Sequence, residues 1–249
     1  MPAPQQRPTV KKKQETYTRF NPSLAFQLAA PHTWVAALTP ILLAYTYTTI
    51  TYSGNISFLL AFILLVISVA MQSAANILND YFDYKKGTDS LENSSEDAFD
   101  AVLVYNHLNP KTVLAYAVAL LVVAALLGFY LVYITGWPLL VLGLIGAVVV
   151  VIYSAGKTPI SYLPVGEIII GIVMGGLVTL ASCYVLSGIL DPLVLLIAIP
   201  CIIGIGMILY TNNTCDIEKD IEAHRKTLAV TLGRKTAVNT YKTTIIIWL

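Results

Sequence analysis

Apolar residues run along most of this chain in long blocks separated by short polar breaks, the pattern of a polytopic membrane protein rather than of a large water-soluble core. A hydrocarbon layer about 30 Å thick is crossed by roughly 20 apolar helical residues. On that template the blocks at 33–51, 58–78, 113–134, 138–153, 165–186 and 192–209 are six full spans, and a seventh begins near Val238 and is cut off at Leu249. The expected fold is an all-α helical bundle in the membrane. Its domain organisation reads as an N-terminal tail, 1–30, followed by a transmembrane domain, 31–249, short of residues at its C-terminal end.

Composition agrees with this reading and narrows it. Hydrophobic residues make up 57% of the 249 positions and charged residues 12%, about half the charged share of soluble domains, which excludes an ordinary soluble enzyme and a disordered chain. The net charge of +1 carries no mark of nucleic-acid binding, and no such partner is expected.

Placement of the charges orients the bundle. The connections 52–57, 135–137 and 187–191 contain no Lys or Arg, whereas all 15 basic residues lie in the tail or at the opposite ends of the spans. The positive-inside rule makes that side, with the N-terminus, cytoplasmic. Of 14 acidic residues only Asp191 falls in an outer connection, so chemistry is expected at the cytoplasmic rim.

Two carboxylate stripes stand at that rim. If the helix of the second span continues, Asn76, Asp80 and Asp83 share one face at i, i+4 and i+7; if that of the sixth does, Asn212, Asp216 and Asp220 share one at i, i+4 and i+8. One such cluster alone reads as a solvated interfacial cap. Two matching stripes in a chain with so few charges read as a site, because carboxylates near a bilayer are costly unless something compensates them. Hard divalent cations take oxygen ligands of this kind, and Mg²⁺ is usually held by a few carboxylates plus water and substrate phosphates. A Mg²⁺-bridged diphosphate is therefore the expected occupant, with Lys157, Arg225 and Lys226 on the same rim to balance its charge.

At these residues the sequence resembles the UbiA superfamily of intramembrane aromatic prenyltransferases. Asn79-Asp80-Tyr81-Phe82-Asp83 matches the first Asp-rich motif and Asp216-Ile217-Glu218-Lys219-Asp220 the second. Tyr153-Ser154-Ala155-Gly156-Lys157 resembles the Tyr and Lys pair between the motifs, and Lys226-Thr227-Leu228-Ala229-Val230 the stretch that follows the second. Within the family the chain is most similar to the branch that prenylates 1,4-dihydroxy-2-naphthoate in menaquinone synthesis. The marks of that branch are the run 80–87, Tyr162-Leu163-Pro164-Val165-Gly166-Glu167, and the run 225–234.

The resemblance implies a bundle of nine helices in the cell membrane and transfer of a polyprenyl group from an isoprenoid diphosphate to the naphthoate, giving demethylmenaquinone, pyrophosphate and CO₂. It implies Mg²⁺ held by Asn76, Asp80, Asp83, Asp216 and Asp220, the four Asp being catalytic. Asn76, Asn79, Tyr153, Lys157, Asn212, Arg225 and Lys226 are assigned to substrate binding, and Glu167, a lone carboxylate near the start of span five, to the acceptor or to capping its helix. The segment 101–109 is expected to be a flexible cap. Gly171, Gly175, Gly176, Gly204 and Gly206 read as packing devices, Cys183, Cys201 and Cys215 as small apolar residues of the bundle, and Tyr47, Tyr52, Tyr130 and Tyr133 as an interfacial belt. Other branches of the family, an ion-coupled transporter and a truncated inactive chain are the alternatives.

Overall fold

The computed structural model describes residues 16–52, 56–89 and 101–248, and every regular element among them is helical. A short helix α1 (Pro22–Leu28) and a 3-10 turn (Pro31–Thr33) lead into α2 (Trp34–Tyr52). Then come α3 (Phe58–Lys86), the single turn α4 (Val102–Tyr105), α5 (Pro110–Thr135), α6 (Trp137–Ser154) and α7 (Gly166–Ser187). They are followed by α8 (Val194–Cys215), the short α9 (Ile217–Glu222) and α10 (Leu228–Leu232), and α11 (Arg234–Trp248). Helices α3, α5, α6, α7 and α8 are each long and apolar enough to cross a bilayer, and α1 with α2 make one more if the 42° bend between them is a broken span. All six apolar blocks fall on these helices, and the helix expected near Val238 starts at Arg234.

Sequence sets the helix ends. Asn109 caps α5 by accepting from the Lys111 amide at 2.9 Å, with Pro110 at the first helical position, where its missing N–H costs nothing. Large apolar side chains are exposed, among them Leu59, Leu126, Leu193 and Leu196, as they are when the surrounding solvent is hydrocarbon. With lipid outside, helices gain most from close packing and from hydrogen bonds between them. Trp34 Nε1 donates to Ser73 Oγ at 3.0 Å and Ser68 Oγ to the Ala37 carbonyl at 2.9 Å, joining α2 to α3.

Helix α7 widens into a π turn at Gly171–Leu177, and there its backbone meets α8. A Cβ on Gly171 would lie 2.5 Å from the Ile202 carbonyl oxygen, and one on Gly175 2.6 Å from the Ile202 nitrogen and Cα. Those two glycines are what allows the contact.

Two segments differ from their expected form. Within the stretch expected as tail, α1 buries Leu24 and Leu28 against Ile77, Leu78 and Leu103. The run 101–109 is not a flexible cap: Val102 and Leu103 of the turn and Leu108 after it are buried in the same cluster, against Ile77 and Leu78 of α3 and Val113 of α5.

Far from α4 along the bundle, Asp191 joins two helices. Asp191 Oδ2 accepts from Tyr47 Oη at 2.6 Å and Tyr52 Oη at 2.7 Å, while Oδ1 accepts from the Leu193 amide at 2.9 Å. Tyr47 and Tyr52 thus clamp α2 to the start of α8 rather than form a belt, whereas Tyr130 and Tyr133 are exposed as a belt requires. Cys183 and Cys201 are buried, but Cys215 is exposed, on the outer side of the last turn of α8.

Candidate active site

Between the helices lies a cavity of about 670 Å³. Its depth is apolar, walled by Ile67, Met71, Leu121, Val150 and Leu177, and one end is lined by Asn76, Asn79, Asp80, Asp83, Tyr153, Asn212, Asp216, Asp220 and Arg225. Nine of the twelve residues singled out in the sequence therefore meet in one place.

The first motif sits on the last turns of α3. Gly87, at φ +75°, ends the helix in the left-handed conformation that glycine adopts freely. The chain then wraps the Asp83 carbonyl, which accepts from the Thr88 amide at 3.0 Å and the Asp89 amide at 3.3 Å. Asp83 itself is buried, its Oδ2 accepting from Asn79 Nδ2 at 3.1 Å, and Asn79 Oδ1 accepts in turn from Ser154 Oγ at 3.1 Å. Asp80 Oδ2 accepts from the Leu103 amide at 3.1 Å, so this carboxylate also anchors α4. Asn76 Nδ2 donates to the Ala29 carbonyl at 3.0 Å and to Thr33 Oγ1 at 2.9 Å, fixing the bend before α2.

The second motif is not on one continuous helix. Helix α8 stops at Cys215, Asp216 forms the joint at φ −96°, ψ 16°, and Asp220 belongs to α9. Burial of Ile217 against Tyr210 and Ala229 draws the chain around at this point. The expected i, i+8 relation of Asn212 and Asp220 is therefore replaced by a bend, yet both still line the cavity. Asp220 is 1% exposed, and its Oδ2 accepts from Thr227 Oγ1 at 3.1 Å.

Arg225 joins the motifs. Its Nε is 3.3 Å from Asp220 Oδ1 and its Nη1 3.7 Å from Asp83 Oδ2. Burial lifts the Asp220 carboxyl above its ordinary range by more than Arg225 pulls it down. Burial works against the Arg225 charge, but Asp83 and Asp220 outweigh it and hold the guanidinium above its usual value. Lys219 Nζ pairs with Asp89 Oδ1 at 2.9 Å on the same cavity.

Three of the expected residues do not line this cavity. Lys157 is exposed and lines a smaller neighbouring cavity of about 400 Å³ with Lys86, Tyr162, Lys219 and His224. The Lys226 side chain is exposed, and its backbone amide donates to the Tyr162 carbonyl at 3.0 Å. Glu167 is 4% exposed, and its Oε1 accepts from Asn213 Nδ2, a residue that does line the cavity, at 2.8 Å. Asn213, Asp89, Thr227 and Tyr162 carried no assignment from the sequence. Thr227 is legible afterwards as the N-cap of α10, where its Oγ1 accepts from the Val230 amide at 3.4 Å.

The donor set fits a hard cation. Among the described residues no three Asp, Glu, His or Cys side chains stand close enough to cage a metal ion. Five carboxylates, with the carboxamides of Asn76, Asn79 and Asn212 beside them, line one cavity and instead suit Mg²⁺ whose shell is completed by water and phosphate oxygens.

The structure is thus a helical bundle of membrane type whose inner cavity is apolar at depth and carries paired Asp motifs at one end. Residues 37–249 match the UbiA prenyltransferase family, and the chain belongs to that family. A 1,4-dihydroxy-2-naphthoate octaprenyltransferase of Bacillus subtilis (strain 168) is 36% identical over 215 residues, 86% of this chain and 68% of that protein. UbiA prenyltransferase domain-containing protein 1 of Homo sapiens is 31% identical over 167 residues, 66% of this chain and 48% of that protein. The chain spans 59% of the Danio rerio relative of the same name. Among solved structures, a UbiA homolog from Archaeoglobus fulgidus bound to GPP and Mg²⁺ shares the fold at a TM-score of 0.69 and 17% identity, over 90% of this chain and 75% of that one.

Proposed function

We propose that the chain transfers a polyprenyl group from an isoprenoid diphosphate to 1,4-dihydroxy-2-naphthoate at the cytoplasmic rim of the cell membrane. One observation carries this reading: a single cavity joins apolar walls, suited to a prenyl chain, to the carboxylates of both Asp motifs and a buried arginine. The B. subtilis relative bears this activity in its name, and the A. fulgidus structures hold GPP or DMAPP with Mg²⁺.

Asp80, Asp83, Asp216 and Asp220, with Asn76, would hold Mg²⁺, which when bound supplies electrostatic stabilisation of the departing diphosphate. Arg225 and Lys219 offer N–H donors to the diphosphate oxygens at the same end, and Lys157 offers another from the adjoining cavity. The apolar walls keep water from the allylic carbon while it is electron-poor. Glu167, through Asn213, orients the acceptor or its hydroxyls.

The C1–O bond breaks with its electron pair on pyrophosphate, and a ring carbon of the acceptor forms the new bond to C1. The carboxyl group at that ring carbon leaves as CO₂, its bond electrons restoring the ring and its proton passing to solvent. With no oxidant in this balance, the direct product is the reduced, quinol form of demethylmenaquinone.

The test is prenyl transfer in membranes containing the chain, supplied with a labelled polyprenyl diphosphate, the naphthoate and Mg²⁺. Labelled quinol and CO₂ are expected, with loss on chelation and in the Asp80→Ala, Asp216→Ala double variant. Transfer that survives the double variant overturns the assignment.

A further inference from the structure

We propose that Tyr162 is a positioning residue for the diphosphate site, holding the cations of the rim through its ring; this rests on the reading of the cavity as a prenyl diphosphate site. Lys86 Nζ lies 4.6 Å from the centre of the Tyr162 ring and Arg225 Cζ lies 5.2 Å from it. Both distances are within the range in which a ring quadrupole attracts a cation.

The two cations come from different parts of the chain. Lys86 is the last residue of α3, three positions beyond Asp83, and its ammonium donates to the Ser154 carbonyl at 2.9 Å. Arg225 follows α9 and pairs with Asp83 and Asp220. Like charges on one aromatic ring repel each other, and the ring together with Asp83 compensates that repulsion. The diphosphate, arriving with several negative charges, then meets cations already gathered.

Tyr162 is itself fixed on every side that bears a polar group. It closes a 3-10 turn, Ile160–Tyr162, with its amide donating to the Pro159 carbonyl at 3.0 Å. Its carbonyl accepts from the Lys226 amide at 3.0 Å, and its hydroxyl lies 3.1 Å from Thr88 Oγ1. One side chain thus ties the α6–α7 connection to the segments that follow each Asp motif. Arg225 joins this ring to the site: Tyr162 lines the smaller cavity, and Arg225, over its ring, lines the larger.

The role predicts a split between substrates. Tyr162→Leu and Tyr162→Met, which fill space without a ring, are expected to raise KM for the prenyl diphosphate about tenfold. KM for the acceptor and kcat should stay within about threefold. Tyr162→Phe, which keeps the ring and loses only the Thr88 contact, should stay near wild type. As a readout independent of turnover, inorganic pyrophosphate with Mg²⁺ should stabilise detergent-purified wild type and the Phe variant against heat, and the ringless variants about tenfold less sensitively.

An unchanged KM for the diphosphate in the ringless variants, or an equal rise for both substrates, overturns the proposal while leaving the site reading in place. Loss of both ringless variants from membranes that still contain active Tyr162→Phe also overturns it, in favour of a purely structural role. Wild-type protein that neither transfers a prenyl group nor responds to pyrophosphate overturns the site reading and the proposal together.

Discussion

Arg225 Nε stands 3.3 Å from Asp220 Oδ1, and the same guanidinium reaches Asp83 on the other motif. Removing one partner of a buried charge pair leaves the other uncompensated, at a cost on the order of 3 kcal/mol. Arg225→Gln is therefore expected to lower the thermal midpoint in detergent and to abolish transfer. Adding Asp220→Asn should recover part of the midpoint without recovering activity. A single Arg225→Gln variant as heat-stable as wild type would show that the pair carries no net stability.

Asp80 has two tasks that substitution can separate. Asn retains a side-chain oxygen for the Leu103 amide, whereas Ala leaves that buried donor unmet, at about 1–3 kcal/mol. Both variants should lose transfer because both lack the charge, but only Asp80→Ala should also lose thermal stability. Equal midpoints for the two would detach Asp80 from the anchoring of α4.

How far the site was legible in the sequence follows from these same residues. The Asp residues of the motifs stood out because charge is scarce in apolar blocks, and helical spacing alone brought Asn76, Asp80 and Asp83 onto one face. The bend at Asp216 was not legible, since it depends on Ile217 packing against Tyr210 and Ala229, partners brought near only by the tertiary fold. Nearness to the rim likewise fails to distinguish Arg225, which turns inward, from Lys226, which turns out. Tyr162 lay inside a recognised run, but the cations over its ring come from positions 86 and 225, a pairing that no local pattern encodes.

The clamp at the far end of the bundle gives a pH prediction. The Tyr47 and Tyr52 hydroxyls, with the Leu193 amide, hold the Asp191 carboxyl below its ordinary range. A carboxyl depressed in the folded state contributes stability that is fully present above its unfolded pKa, about 3.9, and lost as pH falls through the folded value. The stability advantage of wild type over Asp191→Asn should then be constant above about pH 5 and shrink below about pH 4. Midpoints in detergent measured at several pH values would check this, and an advantage that grows on acidification would refute it.

Contact between α7 and α8 depends on two hydrogens where other residues carry carbon. A methyl on Gly175 would stand 2.6 Å from the Ile202 backbone, which has no side-chain freedom to give way. Gly175→Ala must therefore spread the helices, at about 1–3 kcal/mol for overpacking, and should reduce both the amount of folded protein in membranes and its thermal midpoint. Gly143 is the control: it lies in α6 with nothing within 4 Å of an added Cβ. There alanine relieves glycine's unfavourable helix propensity, so Gly143→Ala should leave the midpoint unchanged or raise it slightly, by up to about 1 kcal/mol. Because α7 also carries Glu167 and α8 carries Asn213, the Gly175 variant should weaken the 2.8 Å bond between those two side chains. Its residual activity should then show a raised KM for the acceptor, where a plain loss of folded protein would lower only the apparent kcat.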